Sequence, residues 1–253
     1  TNKAIESYAS VSGGGLNVAS AYGSAIAGGC ANGTGGAAPP DSSPCEVGDR
    51  WSTVGGGESN RAIDLADSVT GGLDNLAELG WSSVTGGAQN HTAGSYSSVT
   101  GGAFNATSAE GASVSGGGRN RATGADASVL GGDDNVASGV TSTMSGGVLN
   151  AASGHNSSVS GGATNEATDH ATSILGGCGN TAGLAARTTT AFSRGDCVTS
   201  TFHADTIVGG VGNVARGAES SVSGGETNTA SGDLASILGG ANVSVGTLDG
   251  HSP

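Results

Sequence analysis

An aliphatic residue followed, after one intervening position, by Gly-Gly recurs along this chain at a fixed spacing of 15 residues. Only two steps differ, with 28 and 33 residues, and the frame resumes in phase after both. Repetition at a short fixed period is typical of solenoids, in which each unit buries a thin strip against its neighbours. The sequence therefore predicts fourteen stacked coils, whose aliphatic residues are Val11, Ile26, Val54, Val69, Val84, Val99, Val114, Val129, Met144, Val159, Ile174, Ile207, Val222 and Ile237.

A second inward position follows the aliphatic residue by eight positions and holds mostly Ala, as at Ala62, Ala77 and Ala122. Two inward positions per repeat indicate two short strands per coil, with a Val/Ile row packed against an Ala/Thr row. The Gly-Gly pair and a later Gly are expected to supply positive-φ corners. We predict an all-β fold, a parallel β-solenoid or β-roll, with residues 1–253 as one domain and insertions at about 30–48 and 178–200.

Composition excludes several classes of function. Fifty glycines and 3% aromatic residues leave too little apolar side chain to fill a wide globular core, which argues against an enzyme or a cofactor site. The net charge of −13 repels phosphate backbones and anionic lipid, so we expect neither nucleic-acid binding nor membrane binding. No run approaches the roughly 18 apolar residues of a membrane span, and insertion is not expected.

Apparent catalytic and metal motifs are explained by the repeat. Residues 210–215 match a dinucleotide-binding pattern, but no helix pattern follows them, and a phosphate site needs the N-terminus of that helix. Asp133-Asp134 resembles part of a calcium-binding solenoid, yet the pair does not recur in other coils. We therefore predict no catalytic residue and no metal ligand.

Asparagine recurs six residues after the aliphatic position. An amide at a corner tolerates the left-handed conformation and can hydrogen-bond to the same amide one coil away. These residues are expected to form a structural ladder rather than a ligand site. Its central members are Asn75, Asn90, Asn105, Asn120, Asn135, Asn150 and Asn165.

The four cysteines lie at the two insertions. Cys30 and Cys178 share one repeat phase where the insertions begin, and Cys45 and Cys197 lie near where they end. Cys30 and Cys178 are nine coils apart, about 43 Å at ~4.8 Å per coil, so only the pairs Cys30–Cys45 and Cys178–Cys197 can close. Such disulfides predict an oxidising environment, and hence a secreted or cell-surface protein.

One outer face is lined with hydroxyl groups, since Ser or Thr precedes the aliphatic residue in thirteen of fourteen coils. The candidate hydroxyl face comprises Ser68, Thr70, Ser83, Thr85, Ser98, Thr100, Ser113, Ser115, Ser158, Ser160, Ser221 and Ser223. Rows spaced ~4.8 Å between coils and ~7 Å along a strand can order water, which makes ice binding an alternative function. The opposite face, with Arg61, Glu78, Arg121, Glu166 and Arg216, is too irregular for a planar ligand.

Two segments, Ser98-Val99-Thr100-Gly101-Gly102 and Asn150-Ala151-Ala152-Ser153-Gly154, resemble the head-domain β-roll of YadA-like trimeric autotransporter adhesins. This chain's repeat is one residue longer, and the likeness extends over nearly all of the sequence. The resemblance implies an extracellular adhesive protein, with a surface receptor as its partner and trimers as an assembly. The in-phase Asn2-Lys3-Ala4 and the finish near Val245 favour end-to-end stacking into a fibre or homo-oligomer.

Overall fold

The computed structural model describes residues 1–35, 51–183, 205–217 and 219–246, and its strands are all two residues long. Within each of the two compact units named below, strands pair in parallel with the equivalent strands of neighbouring coils, and the described residues contain no helix. The prediction of an all-β parallel solenoid with about fourteen coils and two short strands per coil is confirmed. The chain is organised as two compact units, Thr1–Gly131 and Gly132–Pro253, which we describe separately.

In the first unit, two parallel sheets run along the stack of coils. The first sheet contains β1 (Lys3–Ala4), β3 (Val18–Ala19), β5 (Gly33–Thr34), β7 (Arg61–Ala62), β9 (Leu76–Ala77), β11 (His91–Thr92), β13 (Ala106–Thr107) and β15 (Arg121–Ala122). The second sheet contains β2 (Ser10–Val11), β4 (Ala25–Ile26), β6 (Thr53–Val54), β8 (Ser68–Val69), β10 (Ser83–Val84), β12 (Ser98–Val99), β14 (Ser113–Val114) and β16 (Ser128–Val129).

The second unit repeats this arrangement. Its first sheet contains β17 (Val136–Ala137), β19 (Ala151–Ala152), β21 (Glu166–Ala167), β23 (Thr181–Ala182), β25 (Val214–Ala215), β27 (Thr229–Ala230) and β29 (Ser244–Val245). Its second sheet contains β18 (Thr143–Met144), β20 (Ser158–Val159), β22 (Ser173–Ile174), β24 (Thr206–Ile207), β26 (Ser221–Val222) and β28 (Ser236–Ile237).

The repeat register continues across both insertions. Ile26 of β4 pairs with Val54 of β6, and Ile174 of β22 pairs with Ile207 of β24. The coils on either side of each insertion are therefore direct neighbours in the stack. Residues 36–50 and 184–204, which hold most of both insertions, lie outside the described residues.

The interior of a coil is filled by four side chains, and the coil that begins at Ser83 illustrates them. Val84, Asn90, Thr92 and Ser97 are all buried, with at most 1% of their surface exposed. Where the second inward position holds Thr instead of Ala, its hydroxyl donates to a buried Ser hydroxyl, as from Thr92 to Ser82 at 3.0 Å. The large-against-small packing predicted for the core thus includes a polar row that the sequence pattern did not reveal.

The backbone forms a third hydrogen-bonded row that was not predicted. Four residues after the aliphatic position, single residues bridge to the equivalent residues of both neighbouring coils, as Ala88 does to Leu73 and Ala103. The next residue, Gln89, has a φ of 54° and donates its N–H to the Leu73 carbonyl of the preceding coil at 2.9 Å. This backward bond holds a non-glycine residue in the left-handed region.

The expected roles of the glycines and asparagines need correction. Only the second glycine of each Gly-Gly pair has a positive φ in the regular coils, 88° at Gly87, whereas Gly86 and the later Gly94 do not. Glycine is required at position 94 for lack of space rather than for its φ, because a Cβ there would overlap the Ala109 carbonyl of the next coil. The ladder asparagines do not adopt the left-handed conformation either. The residue before each of them adopts it, as Gln89 does before Asn90.

Candidate functional site

The candidate hydroxyl face lies on the outer side of the second sheet. In the first unit, Ser83 pairs in register with Ser68 and Ser98, so the serines form one row along the stack. The residues two positions further along, such as Thr85 and Thr100, are exposed and form a parallel row. The structure thus aligns Ser68, Thr70, Ser83, Thr85, Ser98, Thr100, Ser113 and Ser115 over four consecutive coils.

Both ends of this hydroxyl array are interrupted. On one side Ala25, Ala27 and Gly55 replace hydroxyl residues and line a depression of about 240 Å³. On the other side Leu130 stands exposed in the row of Thr85 and Thr100.

In the second unit the hydroxyl face is patchy. Ser158 and Ser221 lie on its second sheet, Ser160 and Ser223 follow those strands directly, and Ser221 donates to Ser236 at 3.1 Å. Exposed aliphatic residues stand in the same outer row, namely Leu175, Val208 and Leu238. The regular array is therefore confined to four coils of the first unit.

The asparagine ladder is buried inside the coils, at the turn between the Gly-Gly pair and the first sheet. Asn90 Nδ2 donates to the Gly86 carbonyl of its own coil and to the Gly102 carbonyl of the next, both at 2.9 Å. Its Oδ1 accepts the backbone N–H of Asn105 at 3.0 Å. One amide therefore satisfies three backbone groups and joins two coils, and buried equivalents occur at Asn75, Asn105, Asn120, Asn135, Asn150 and Asn165.

Cys30 and Cys178 occupy the same place in their coils, each bridging to the residues before and after it in the third backbone row. Both are exposed. Their predicted partners, Cys45 and Cys197, lie outside the described residues, so the two disulfides stay predictions.

Two pairs of ionisable side chains lie in contact within the described residues. His91 Nε2 lies 2.6 Å from Glu78 Oε2 on the first sheet of the first unit. The rings of His155 and His170 stack in neighbouring coils of the second unit, with centroids 5.0 Å apart. In the part of the chain that the structure describes, no three His, Cys, Asp or Glu side chains converge as metal ligands would.

Asp67 is a buried carboxylate at a position where most other coils have Ser or Ala, and Asp205 is its buried equivalent in the second unit. Its Oδ1 accepts the N–H and the hydroxyl of Ser82, both at 2.9 Å, and its Oδ2 accepts the Asp64 N–H at 2.9 Å. Burial raises the pKa of Asp67 above its usual value, although these hydrogen bonds oppose the shift. Compared with the unfolded chain, the folded state therefore holds the proton of this carboxyl more tightly.

We predict that Asp67 makes stability fall as the pH rises. Because its folded-state pKa is above the unfolded value of about 3.9, its favourable contribution is complete below that value and is lost as pH rises through the folded pKa. The free energy of unfolding of the wild type minus that of Asp67→Asn is expected to decline from about pH 3 toward neutrality. Urea unfolding at several pH values measures this, with Asp126→Asn as the control for net charge. If the difference in unfolding free energy between the wild type and Asp67→Asn did not change with pH, this prediction would be wrong.

An exposed aromatic cluster was missed by the sequence patterns. All five Trp and Tyr residues of the chain lie along one corner of the first unit, where the chain turns from the first sheet back to the second. We call this cluster the aromatic corner, and it consists of Tyr8, Tyr22, Trp51, Trp81 and Tyr96. Four of the five share one repeat phase, three residues before the aliphatic position, and that shared phase is the signal that could have revealed them.

The aromatic corner contains two ring assemblies. Tyr22 packs edge-to-face against Tyr8 and Trp51, with ring centroids 5.4 and 6.3 Å apart. Trp81 and Tyr96 stack nearly parallel in adjacent coils, with an interplanar angle of 6° and centroids 5.3 Å apart. The rings contact one another along the outside of the stack rather than entering its interior.

No protein-family model matches the chain, and no curated protein was found to be similar to it. In the described ranges no helix has the length and apolar character that crossing a membrane requires.

Proposed function

We propose that the protein is an extracellular, non-catalytic structural and adhesive protein that self-associates into fibres or homo-oligomers. The observation that carries this proposal is the regular stack of coils, joined by backbone bonds and by the asparagine ladder. Such a stack offers long, repetitive surfaces suited to contact with other macromolecules. Secretion is proposed because the predicted disulfides would close both insertions in an oxidising environment.

Self-association is supported by the way neighbouring coils meet. Each junction joins two edges of nearly the same sequence, as between Ser83-Val84 and Ser98-Val99. The edge of one coil is therefore complementary to the edge of an identical coil in another copy of the protein. The likeness of the repeat to the heads of YadA-like adhesins supports lateral trimers as the other form of assembly.

Electron microscopy of the purified protein, together with light scattering, tests this proposal. We expect fibres of stacked subunits, or trimers, with an average mass that grows with protein concentration. Isolated short particles with the monomer mass at every concentration tested would refute self-association.

A second candidate function is ice binding, and one observation favours it. The four consecutive coils that contain Thr70, Thr85, Thr100 and Ser115 present two exposed or half-buried hydroxyl rows in register. In-register rows repeat at the strand spacing of ~4.8 Å, and such a regular array can order water.

If this face binds ice, the wild type shows thermal hysteresis, and Thr85→Tyr or Thr100→Tyr abolishes most of it because a bulky ring breaks the flat array. Ala106→Tyr, which places the same ring on the first sheet, is the matched control and should leave hysteresis intact. Absence of hysteresis in the wild type, or full activity in both threonine variants, would eliminate ice binding.

A further inference from the structure

The aromatic corner is built at a cost in backbone energy. Trp51, Trp81 and Tyr96 have φ values of 65°, 59° and 58°, in the left-handed region that bulky side chains rarely adopt. At the same place in other coils Gly23 and Gly111 occur, for which this conformation is favourable. Ala66, Thr141 and Leu234 adopt the same conformation at this place, so the fold fixes the backbone here and does not itself require a large aromatic side chain.

The core makes no use of these rings. Trp51, Trp81 and Tyr96 expose 61, 52 and 57% of their surfaces, whereas the interior is filled by Val, Ile, Ala, Asn and Ser. Their backbones are nevertheless anchored, since Trp81 N–H donates to the Leu65 carbonyl at 2.8 Å and Tyr96 N–H to the Gly80 carbonyl at 3.2 Å. The rings are thus held outward on a fixed frame, which reduces the entropy lost when they bind a ligand.

Glycine and alanine residues in neighbouring coils leave space around the aromatic rings. The benzo ring of Trp51 lies over Gly23, where ring carbons would be 3.3 to 3.8 Å from a Cβ at that position. Ala66 separates Trp51 from Trp81 in the stack, and Gly111 follows Tyr96. Trp81 and Tyr96 stack on each other, so each has at most one face left for a ligand, and the small residues Ala66 and Gly111 lie in the coils on the side of those faces.

The charge of this corner selects among aromatic-stacking partners. Within two residues of the ring position in each coil of the first unit, the described residues include the carboxylates of Glu6, Asp64, Glu110 and Asp126 and no Lys or Arg. The sequence adds Asp49 and Arg50 before Trp51, whose opposite charges leave this balance negative. Nucleic acids, which also stack on aromatic rings, would be repelled by these charges, as would anionic lipid. Carboxylates are acceptors only and pair well with ligand hydroxyl donors.

We propose that the aromatic corner binds an extended β-1,4-linked glycan made of glucose or N-acetylglucosamine. The rings of such a chain carry their large substituents equatorially, so that both ring faces present C–H groups to the negative face of an aromatic ring. Stacking positions at multiples of the coil spacing of ~4.8 Å suit a linear polymer, and the nearby carboxylates accept its hydroxyls. This inference rests on the proposed adhesive function and names the chemistry of its receptor.

Intrinsic fluorescence reports directly on this site because both tryptophans of the chain belong to it. Titration of the full chain with cellohexaose and with chitohexaose is expected to give a saturable fluorescence change with one of them. Calorimetric titration of Trp51→Ala and Trp81→Ala should show affinity about tenfold weaker than wild type. Phe104→Ala removes an exposed aromatic ring outside the aromatic corner and is the matched control, expected to bind as wild type does.

Three results would overturn the proposal: no saturable binding of either glycan, equal affinity in the double variant Trp51→Ala/Trp81→Ala, or tryptophan-dependent binding of single-stranded DNA or phosphatidylcholine vesicles instead. Circular dichroism and thermal melting establish that each variant is folded. Assembly seen by electron microscopy without glycan binding would refute this inference alone, whereas glycan binding by a strict monomer would refute self-association alone.

Discussion

Gly87→Ala is expected to lower the free energy of unfolding by more than about 4 kcal/mol, which is at the extreme of single substitutions. At a φ of 88°, a Cβ on residue 87 would overlap the Gly102 carbonyl oxygen and lie 2.6 Å from Asn90 Nδ2. Both contacts are with atoms of the interior, one of them backbone, so neither can move aside cheaply. Because coils are stabilised mainly by their neighbours, the damage should extend to the adjoining coils.

Gly86→Ala is the matched control for this prediction. Residue 86 has no positive φ, and a Cβ there would have no atom within 4 Å. We expect a change within about 0.5 kcal/mol, or a slight gain from the stiffer unfolded chain. Urea unfolding followed by circular dichroism compares the two variants, and equal stabilities would show that the Gly-Gly turn is not as constrained as its geometry implies.

Asn90→Asp is expected to destabilise the protein by about 3 kcal/mol or more, although the two side chains have nearly the same shape. The carboxylate cannot donate to the Gly86 and Gly102 carbonyls and would place a buried negative charge 2.9 Å from both oxygens. Asn90→Ala avoids the charge but leaves the Asn105 N–H without its acceptor, so an intermediate loss is expected.

The neighbouring exposed residue provides the control for the asparagine ladder. Gln89→Ala removes an amide that makes only a 3.4 Å contact with Asp74 at the surface, and a change within about 0.5 kcal/mol is expected. Hydrogen exchange can locate the effect, since Asn90→Asp should first expose the Ala88 amide, which donates to the Gly102 carbonyl. If Asn90→Asp were as stable as Gln89→Ala, the ladder would not be a significant source of stability.

The coils themselves could be predicted from the sequence because one period determines several properties at once. Val84, Asn90 and Thr92 recur in phase with equivalents in almost every coil, and a residue that recurs in phase must occupy the same environment in a stack. The buried rows and the parallel pairing follow directly. Even the continuation of Ile26 into Val54 across an insertion follows from the frame alone.

The corners could not be predicted in the same way. Local preference assigns left-handed positions to glycine, yet the N–H bonds to the preceding coil place Gln89 and Tyr96 there, so tertiary hydrogen bonding overrides propensity. The aromatic corner was overlooked for a related reason. Tyr8 and Tyr96 are 88 residues apart in sequence, and only the path of the backbone shows that their shared phase points to one exposed edge.

The corner position of Trp81 accepts side chains of very different size and polarity with almost the same backbone geometry. Its φ is 59° at Trp81, 55° at Asp126, 57° at Asn156 and 57° at Ala171. The residue displayed there can therefore change without disturbing the packing beneath it. In a solenoid of this kind, evolution or protein engineering can build a new recognition surface by substituting this one position in coil after coil.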